Sequence, residues 1–375
     1  MGLGKSLKTN LLSSWGTQLV TMFLGAFLMP YILSTIGDAR YGIWIFISAV
    51  AGYAKLLNMG FGSTISRYVA KYQARGDFEK MNRIVTGIFG VYLATGAFAL
   101  LVAGGFAFIA PYIHNWDGES ITEIRWVILI LGLNIAVGLA GSVFGGVLMG
   151  VQRFDVERAI AASTGVLKAV AIIFFLNTNY ALLTLALVFL AMTAMENIGH
   201  IYYAFRTVRT LRVGVRHFDW QTLRESWSFS GYAFLDDIAH HIIYLTDTIV
   251  IGLLMNSQKE IVPYYIALRI CQFINKPVQQ VGMVAMPRAG ELFEQNEGRK
   301  LQKLITRGME WTFLMIAGIF IGAIFFGQTL IHAWVGNEYE QSHLILIILL
   351  GAQVVANPLL LIRSILFGMG NVRVP

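Results

Sequence analysis

Between Ser230 and Met255 the chain reads SGYAFLDDIAHHIIYLTDTIVIGLLM, an apolar stretch that carries Asp236, Asp237, His240, His241 and Asp247. Its length suits a membrane-spanning helix, for which roughly 20 residues cross a hydrocarbon core of about 30 Å. At about 100° per residue, Asp236, His240 and Asp247 share one narrow stripe, with Asp237 and His241 flanking it. A carboxylate at mid-bilayer costs about 2.5–3.5 kcal/mol. The stripe is therefore expected to face water or a partner charge. Carboxylates beside imidazoles can take up and release protons near neutral pH, so ion coupling is the chemistry these five residues suggest. A Na⁺ ion at the carboxylates would leave the same sequence. Structural ion pairing is the alternative. Asp-x-x-x-His also sets two ligands one turn apart, but nothing in the sequence demands a metal.

The next apolar stretch, Val262–Pro287, supplies opposite charge. Arg269 and Lys276 are seven residues apart and so share a helix face, with Gln272 and Gln280 beside them. Lys55 is a further cation inside an apolar run. Three buried cations suit an anionic ligand, whereas a cation antiporter would favour an acidic cavity. The alternative is that each pairs with an acid, as intramembrane charges do. Lys168 and Arg363 can pair or snorkel to the interface, and Glu196 suits structural pairing.

The elements that must position these groups follow from composition. Hydrophobic residues make up 56% of the 375, charged residues 13%, and the mean hydropathy is +0.64. A soluble domain carries about 25% charged residues. The long continuous apolar runs predict an all-α polytopic membrane protein rather than a barrel. Ten spans are expected, at 11–36, 41–65, 84–110, 126–150, 159–177, 180–204, 230–255, 261–287, 308–334 and 343–367. The first is too long for a signal-peptide core and is expected to be retained. Cys271 is the only cysteine, which excludes an intrachain disulfide and a cysteine-based metal site. The net charge of +7 reflects sidedness rather than nucleic-acid binding. Alternate connections hold most of the basic residues, against only Arg40, Arg125 and Lys259 on the other side, which predicts a cytoplasmic N-terminus. Gly2-Leu-Gly-Lys-Ser6 lacks the spacing of a phosphate-binding loop, and no cofactor is expected. The short outer connections leave no room for a catalytic domain, so the chain is not expected to be an enzyme.

The longest connection, Phe205–Phe229, divides the chain into an N-terminal lobe of six spans, 1–225, and a C-terminal lobe of four, 226–375. An internal repeat supports the division. Gly76–Gly87 aligns with Glu297–Gly308, and Ile113–Trp116 and Leu148–Gly150 recur as Ile331–Trp334 and Leu366–Gly368. Six spans separate the copies, so they are parallel repeats, and the second copy is expected to lack at least two helices. The same register places Lys276 one repeat after Lys55.

Several motifs carry a resemblance. The first half reads Pro30-Tyr-Ile-Leu-Ser-Thr-Ile-Gly37, Tyr41-Gly42-Ile43-Trp44, Gly60-Phe-Gly62, Arg67-Tyr-Val-Ala70 and Gly76-Asp77. The second reads Asp247-Thr-Ile-Val-Ile-Gly252, Tyr264-Tyr-Ile-Ala267, Pro277, Pro287, Trp334-Val-Gly336 and Gly368-Met-Gly370. The chain resembles the polysaccharide-biosynthesis (O-antigen) flippases of the multidrug/oligosaccharidyl-lipid/polysaccharide exporter superfamily. The resemblance implies two helical lobes around a central cavity in the cell inner membrane. It also implies alternating-access transfer of undecaprenyl-pyrophosphate-linked oligosaccharide to the periplasmic leaflet. The implied partners are that lipid-linked substrate, the bilayer, H⁺ or Na⁺, and polysaccharide assembly proteins, with no nucleic acid. Lys55, Arg269 and Lys276 would grip the pyrophosphate, and Asp236, Asp237, His240, His241 and Asp247 would couple the ion. A multidrug/cation antiporter of the same superfamily is the alternative, and a glycan polymerase or ligase a more distant one.

Overall fold

A computed structural model describes residues 3–113, 116, 118–176, 179–255 and 257–369. Among them the regular structure is entirely helical. Two compact units divide at residue 261, the first spanning Met1–Ile261 and the second Val262–Pro375.

The first unit opens with α1 (Leu3–Tyr53), a run of 51 residues. A straight helix of that length would reach roughly 77 Å, more than twice a hydrocarbon core. Gly37 interrupts it at φ 79°, ψ 167°, a conformation open essentially to glycine alone. The expected spans at 11–36 and 41–65 thus begin as the two arms of one interrupted helix. The second arm ends earlier than its hydropathy predicts. A 3₁₀ turn covers Ala54–Asn58, Met59 and Gly60 are left-handed at φ 50° and 72°, and α2 (Phe61–Ala74) starts afresh. The apolar run continues through this break, so composition conceals it. The glycines of Gly60-Phe-Gly62 permit it, because an added Cβ at Gly62 would already lie 3.2 Å from Asn58 Nδ2.

The unit continues with α3 (Phe78–Ile113), α4 (Ile121–Gly150), α5 (Phe154–Phe175), α6 (Ala181–Thr207) and α7 (Trp220–Leu254). Its core joins Tyr72, Met81, Ile88 and Tyr92 to Phe144 and Leu148, with Leu211 and Leu223 from the segments after α6. The crossing of α4 and α6 is close. A Cβ at Gly141 would stand 1.9 Å from Asn197 Cγ, and one at Gly145 3.3 Å from His200 Nδ1. This is the small-x-x-x-small packing that lets membrane helices approach without a hydrophobic driving force. The basic connection after α6 is tied down by Asn82, whose Nδ2 donates to Thr210 O at 3.0 Å while its Oδ1 accepts from Arg212 N at 3.0 Å. Asp219 then caps α7 by accepting from Gln221 N.

The second unit holds α8 (Ile261–Glu294), α9 (Gly298–Val335) and α10 (Gln341–Gly368). Among the described residues, seven helical stretches are long and apolar enough to cross a membrane: Val20–Asn58, Phe78–Ile113, Ile121–Gly150, Phe154–Phe175, Ala181–Thr207, Gly298–Val335 and Gln341–Leu366. The expected spans at 230–255 and 261–287 fall on helices α7 and α8. Within α7 the stretch Leu245–Leu254 is an apolar helix of sub-span length among the described residues. Large apolar side chains on the outside, such as Phe108 and Phe174 in the first unit and Phe325 and Phe326 in the second, suit a lipid surrounding.

Candidate functional site

The break after α1 is the natural starting point. Non-helical backbone at membrane depth is tolerated where protein buries it or where it lines a water-filled cavity. In this chain two tyrosines hold it. The Tyr53 hydroxyl, on the last residue of α1, hydrogen bonds with Thr246 Oγ1 of α7. The Tyr92 hydroxyl of α3 donates to Asn58, whose backbone oxygen lies 3.3 Å away. The unwound turn is therefore fixed between α7 and α3. Gly52 tightens the approach to α7, since an added Cβ would lie 2.8 Å from Leu245 Cδ1.

Lys55 sits on this turn, between Tyr53 and Asn58. Its backbone is thereby brought beside the charged helix α7. His241 of α7 is buried, with its ring 6.2 Å from that of Tyr53. Asp247 is exposed on the surface of the unit, while its neighbour Thr248 is buried. The backbones of Asp236, Asp237 and His240 are helical, but their side chains, like that of Lys55, lie outside the described residues.

In the second unit Arg269 is half-buried on α8. Its Nε donates to the Tyr265 hydroxyl at 2.8 Å and its Nη1 to Gln272 Oε1 at 3.3 Å, and the guanidinium lies 4.8 Å from the Tyr265 ring centre. These contacts orient the guanidinium on its helix. Lys276 is half-buried two turns further along. Gln280 has a side chain outside the described residues. Cys271 is buried and accepts from Asn275 Nδ2 at 3.6 Å, as a packing thiol does.

Sequence reasoning missed a second polar cluster in this unit. Asn357 Nδ2 donates to Asn275 Oδ1 at 3.1 Å and to Gln353 O at 3.1 Å, and both asparagines are buried. The signal was present, because Asn357-Pro358 and Asn275-Lys-Pro277 set an amide beside a helix-weakening proline.

This architecture is that of the MOP transporters. The fold matches an inward-facing multidrug resistance transporter of the MATE family with TM-score 0.73 at 15% identity, covering 95% of this chain and 81% of that one. It also matches a Pyrococcus furiosus MOP transporter, described as having a binding pocket of reversed polarity, with TM-score 0.63 at 14% identity, covering 99% and 82%. Within that class the chain belongs to the polysaccharide biosynthesis protein family, whose model matches residues 7–293. A Shigella flexneri protein named as an O-antigen transporter is 18% identical over 83% of this chain and 72% of its own length. The Bacillus subtilis lipid II flippase MurJ is 27% identical over 48% of this chain and 33% of its own length. The chain is thus a multi-pass membrane transporter of the flippase type.

Proposed function

We propose that this chain moves an undecaprenyl-pyrophosphate-linked oligosaccharide from the cytoplasmic to the periplasmic leaflet of the cell inner membrane by alternating access, with its N-terminus in the cytoplasm. The observation that carries the reading is the half-buried guanidinium of Arg269, set on α8 by Tyr265 and Gln272. A guanidinium kept half-buried by a tyrosine and a glutamine suits a diphosphate better than a cationic drug. Lys276 on the same helix and Lys55 on the unwound turn are the other proposed contacts to the head group. The names of the relatives support a lipid-linked glycan as the cargo. The multidrug alternative has the shared fold behind it.

In this reading the bodies that alternate are 1–225 and 226–375. The Tyr53–Thr246 bond between α1 and α7 would then belong to one state of the cycle and open in the other. Asp236, Asp237, His240, His241 and Asp247 form the proposed coupling element for H⁺ or Na⁺. The experiment is complementation of a flippase-deficient strain. Lys55→Met and Lys276→Met keep the stem and delete the charge, and each is expected to abolish transfer at normal expression. Growth restored by both variants refutes the clamp. Asp236→Asn, tested in proteoliposomes, is expected to uncouple transfer from the pH gradient; unchanged pH dependence removes that residue from the coupling role.

A further inference from the structure

The connection from α6 to α7 carries Arg206, Arg209, Arg212 and Arg216, and no acid lies between Glu196 and Asp219. The other basic connections of the same alternate set hold ion pairs of their own. Arg83 pairs with Glu79, Arg153 with Asp155 and Arg288 with Glu291. Among the described residues the four arginines of the α6–α7 connection enter no ion pair, and all four are exposed.

Sidedness alone asks only for positive charge somewhere in a connection. This connection has more structure than that. Asn82 holds the Thr210 carbonyl and the Arg212 amide, and Val208 and Leu211 are buried in the core of the first unit. Arg209 and Arg212 therefore stand exposed on an anchored backbone. Exposed rings flank them on both sides, Tyr202 and Tyr203 before and Phe218 and Trp220 after. Arg206 Nη1 donates to the Tyr202 hydroxyl at 3.3 Å. Phe218 lies against α3 at Gly90, where an added Cβ would stand 3.7 Å from its Cε2. Gly90 is inside the apolar stretch of α3, so this ring sits at the edge of the hydrocarbon. Rings that settle at a membrane interface, beside guanidinium forks that match phosphate oxygens, suit a lipid surface better than a soluble acidic protein.

We propose that Arg209, Arg212 and Arg216, flanked by Phe218 and Trp220, bind the phosphodiester head groups of anionic phospholipids in the adjoining leaflet. Occupancy would tie the connection to the membrane surface. The surface uses no residue assigned to cargo or to ion coupling, and it does not rest on the flippase reading.

The test is native mass spectrometry of the purified chain in detergent, without any lipid-linked sugar. The chain is titrated with dioleoylphosphatidylglycerol or with dioleoylphosphatidylcholine. Phosphatidylglycerol is expected to bind at least about tenfold more tightly, and less tightly as salt rises. Arg209→Gln/Arg212→Gln/Arg216→Gln should abolish that preference. Arg299→Gln/Lys300→Gln/Lys303→Gln removes the same charge from the start of α9 and should leave it in place. Glycerol 3-phosphate at the lipid concentration should not displace the lipid. Gel filtration checks folding of the first triple variant, which alters exposed side chains only. Arg209→Gln and Arg216→Gln, made singly, should each weaken phosphatidylglycerol binding about fivefold and serve if the triple variant does not fold. Equal affinity of the unsubstituted chain for the two lipids overturns the proposal, as does a preference retained in the folded triple variant or undiminished in both single ones. Equal loss in the two triple variants overturns it by reducing the effect to net charge. Displacement by glycerol 3-phosphate overturns it in favour of a site for free phosphate.

Discussion

The two units each bury an asparagine where helices cross, and they do so in opposite ways. In the first unit Asn197 fills a notch cut by Gly141, and its Nδ2 donates to Val137 O at 2.8 Å. The backbones of α4 and α6 come close, and the amide is sealed by steric fit. In the second unit Asn275 and Asn357 meet amide to amide across α8 and α10, with prolines nearby and one oxygen left over. Close packing tolerates little change at the notch. A hydrogen-bonded seam tolerates change of shape but not the loss of one partner. The first seam thus suits a fixed scaffold, and the second an interface that can reform.

This contrast can be broken most severely at the notch. Gly141→Val would drive a branched side chain into Asn197, and overpacking of this kind costs about 1–3 kcal/mol or more. Loss of the monodisperse peak in size-exclusion chromatography is the expected outcome; a folded variant of normal melting temperature would deny that the notch is rigid. At the amide seam, Asn275→Leu should remove one acceptor of Asn357 Nδ2, which keeps its bonds to Gln353, and destabilise by about 1 kcal/mol. The double variant Asn275→Leu/Asn357→Leu should lose less than the sum of the single changes, read as thermal melting in a double-mutant cycle. Smaller still is Tyr53→Phe, which removes one interhelical bond worth about 0.6 kcal/mol on average in membrane proteins. Adding Thr246→Val to that variant should lower the melting temperature little further, and strict additivity would show that the two hydroxyls do not meet. The smallest effect belongs to Arg40→Ala. Its bond to Glu119, at 2.6 Å between partly exposed side chains, should contribute less than about 1 kcal/mol and weaken further in high salt.

The helical class was legible because apolar runs of span length are a composition-level signal. The expected spans at 84–110, 126–150 and 180–204 fall on α3, α4 and α6, but α3 and α4 begin six and five residues earlier, because their first turns are polar. The break at Ala54–Gly60 was not, because Leu56, Leu57, Met59 and Phe61 keep the run apolar while the backbone unwinds. Hydropathy reports the solvent of a segment and says nothing about its hydrogen bonding. The charged stripe of α7 was found by helical spacing. The partners of His241 were not, since Tyr53 lies nearly 190 residues away and no local pattern encodes that meeting. Arg269 was singled out as a cation, and the structure adds that Tyr265 one turn earlier orients it.

The ion pair of Arg40 with Glu119 bears on how the chain is made. Arg40 follows the Gly37 interruption and so sits near the bend between the two arms of α1. Its partner lies 79 residues further along the chain. At a synthesis rate of about 5–20 residues per second, Glu119 leaves the ribosome roughly 4–16 s after Arg40. For that interval the interrupted helix must hold its kink at Gly37 without this ion pair. The arrival of the α3–α4 connection then closes the pair. A translating ribosome stalled between these two residues should accordingly carry an interrupted helix whose kink is still open to cleavage by a protease specific for arginine, and one stalled well past Glu119 should not.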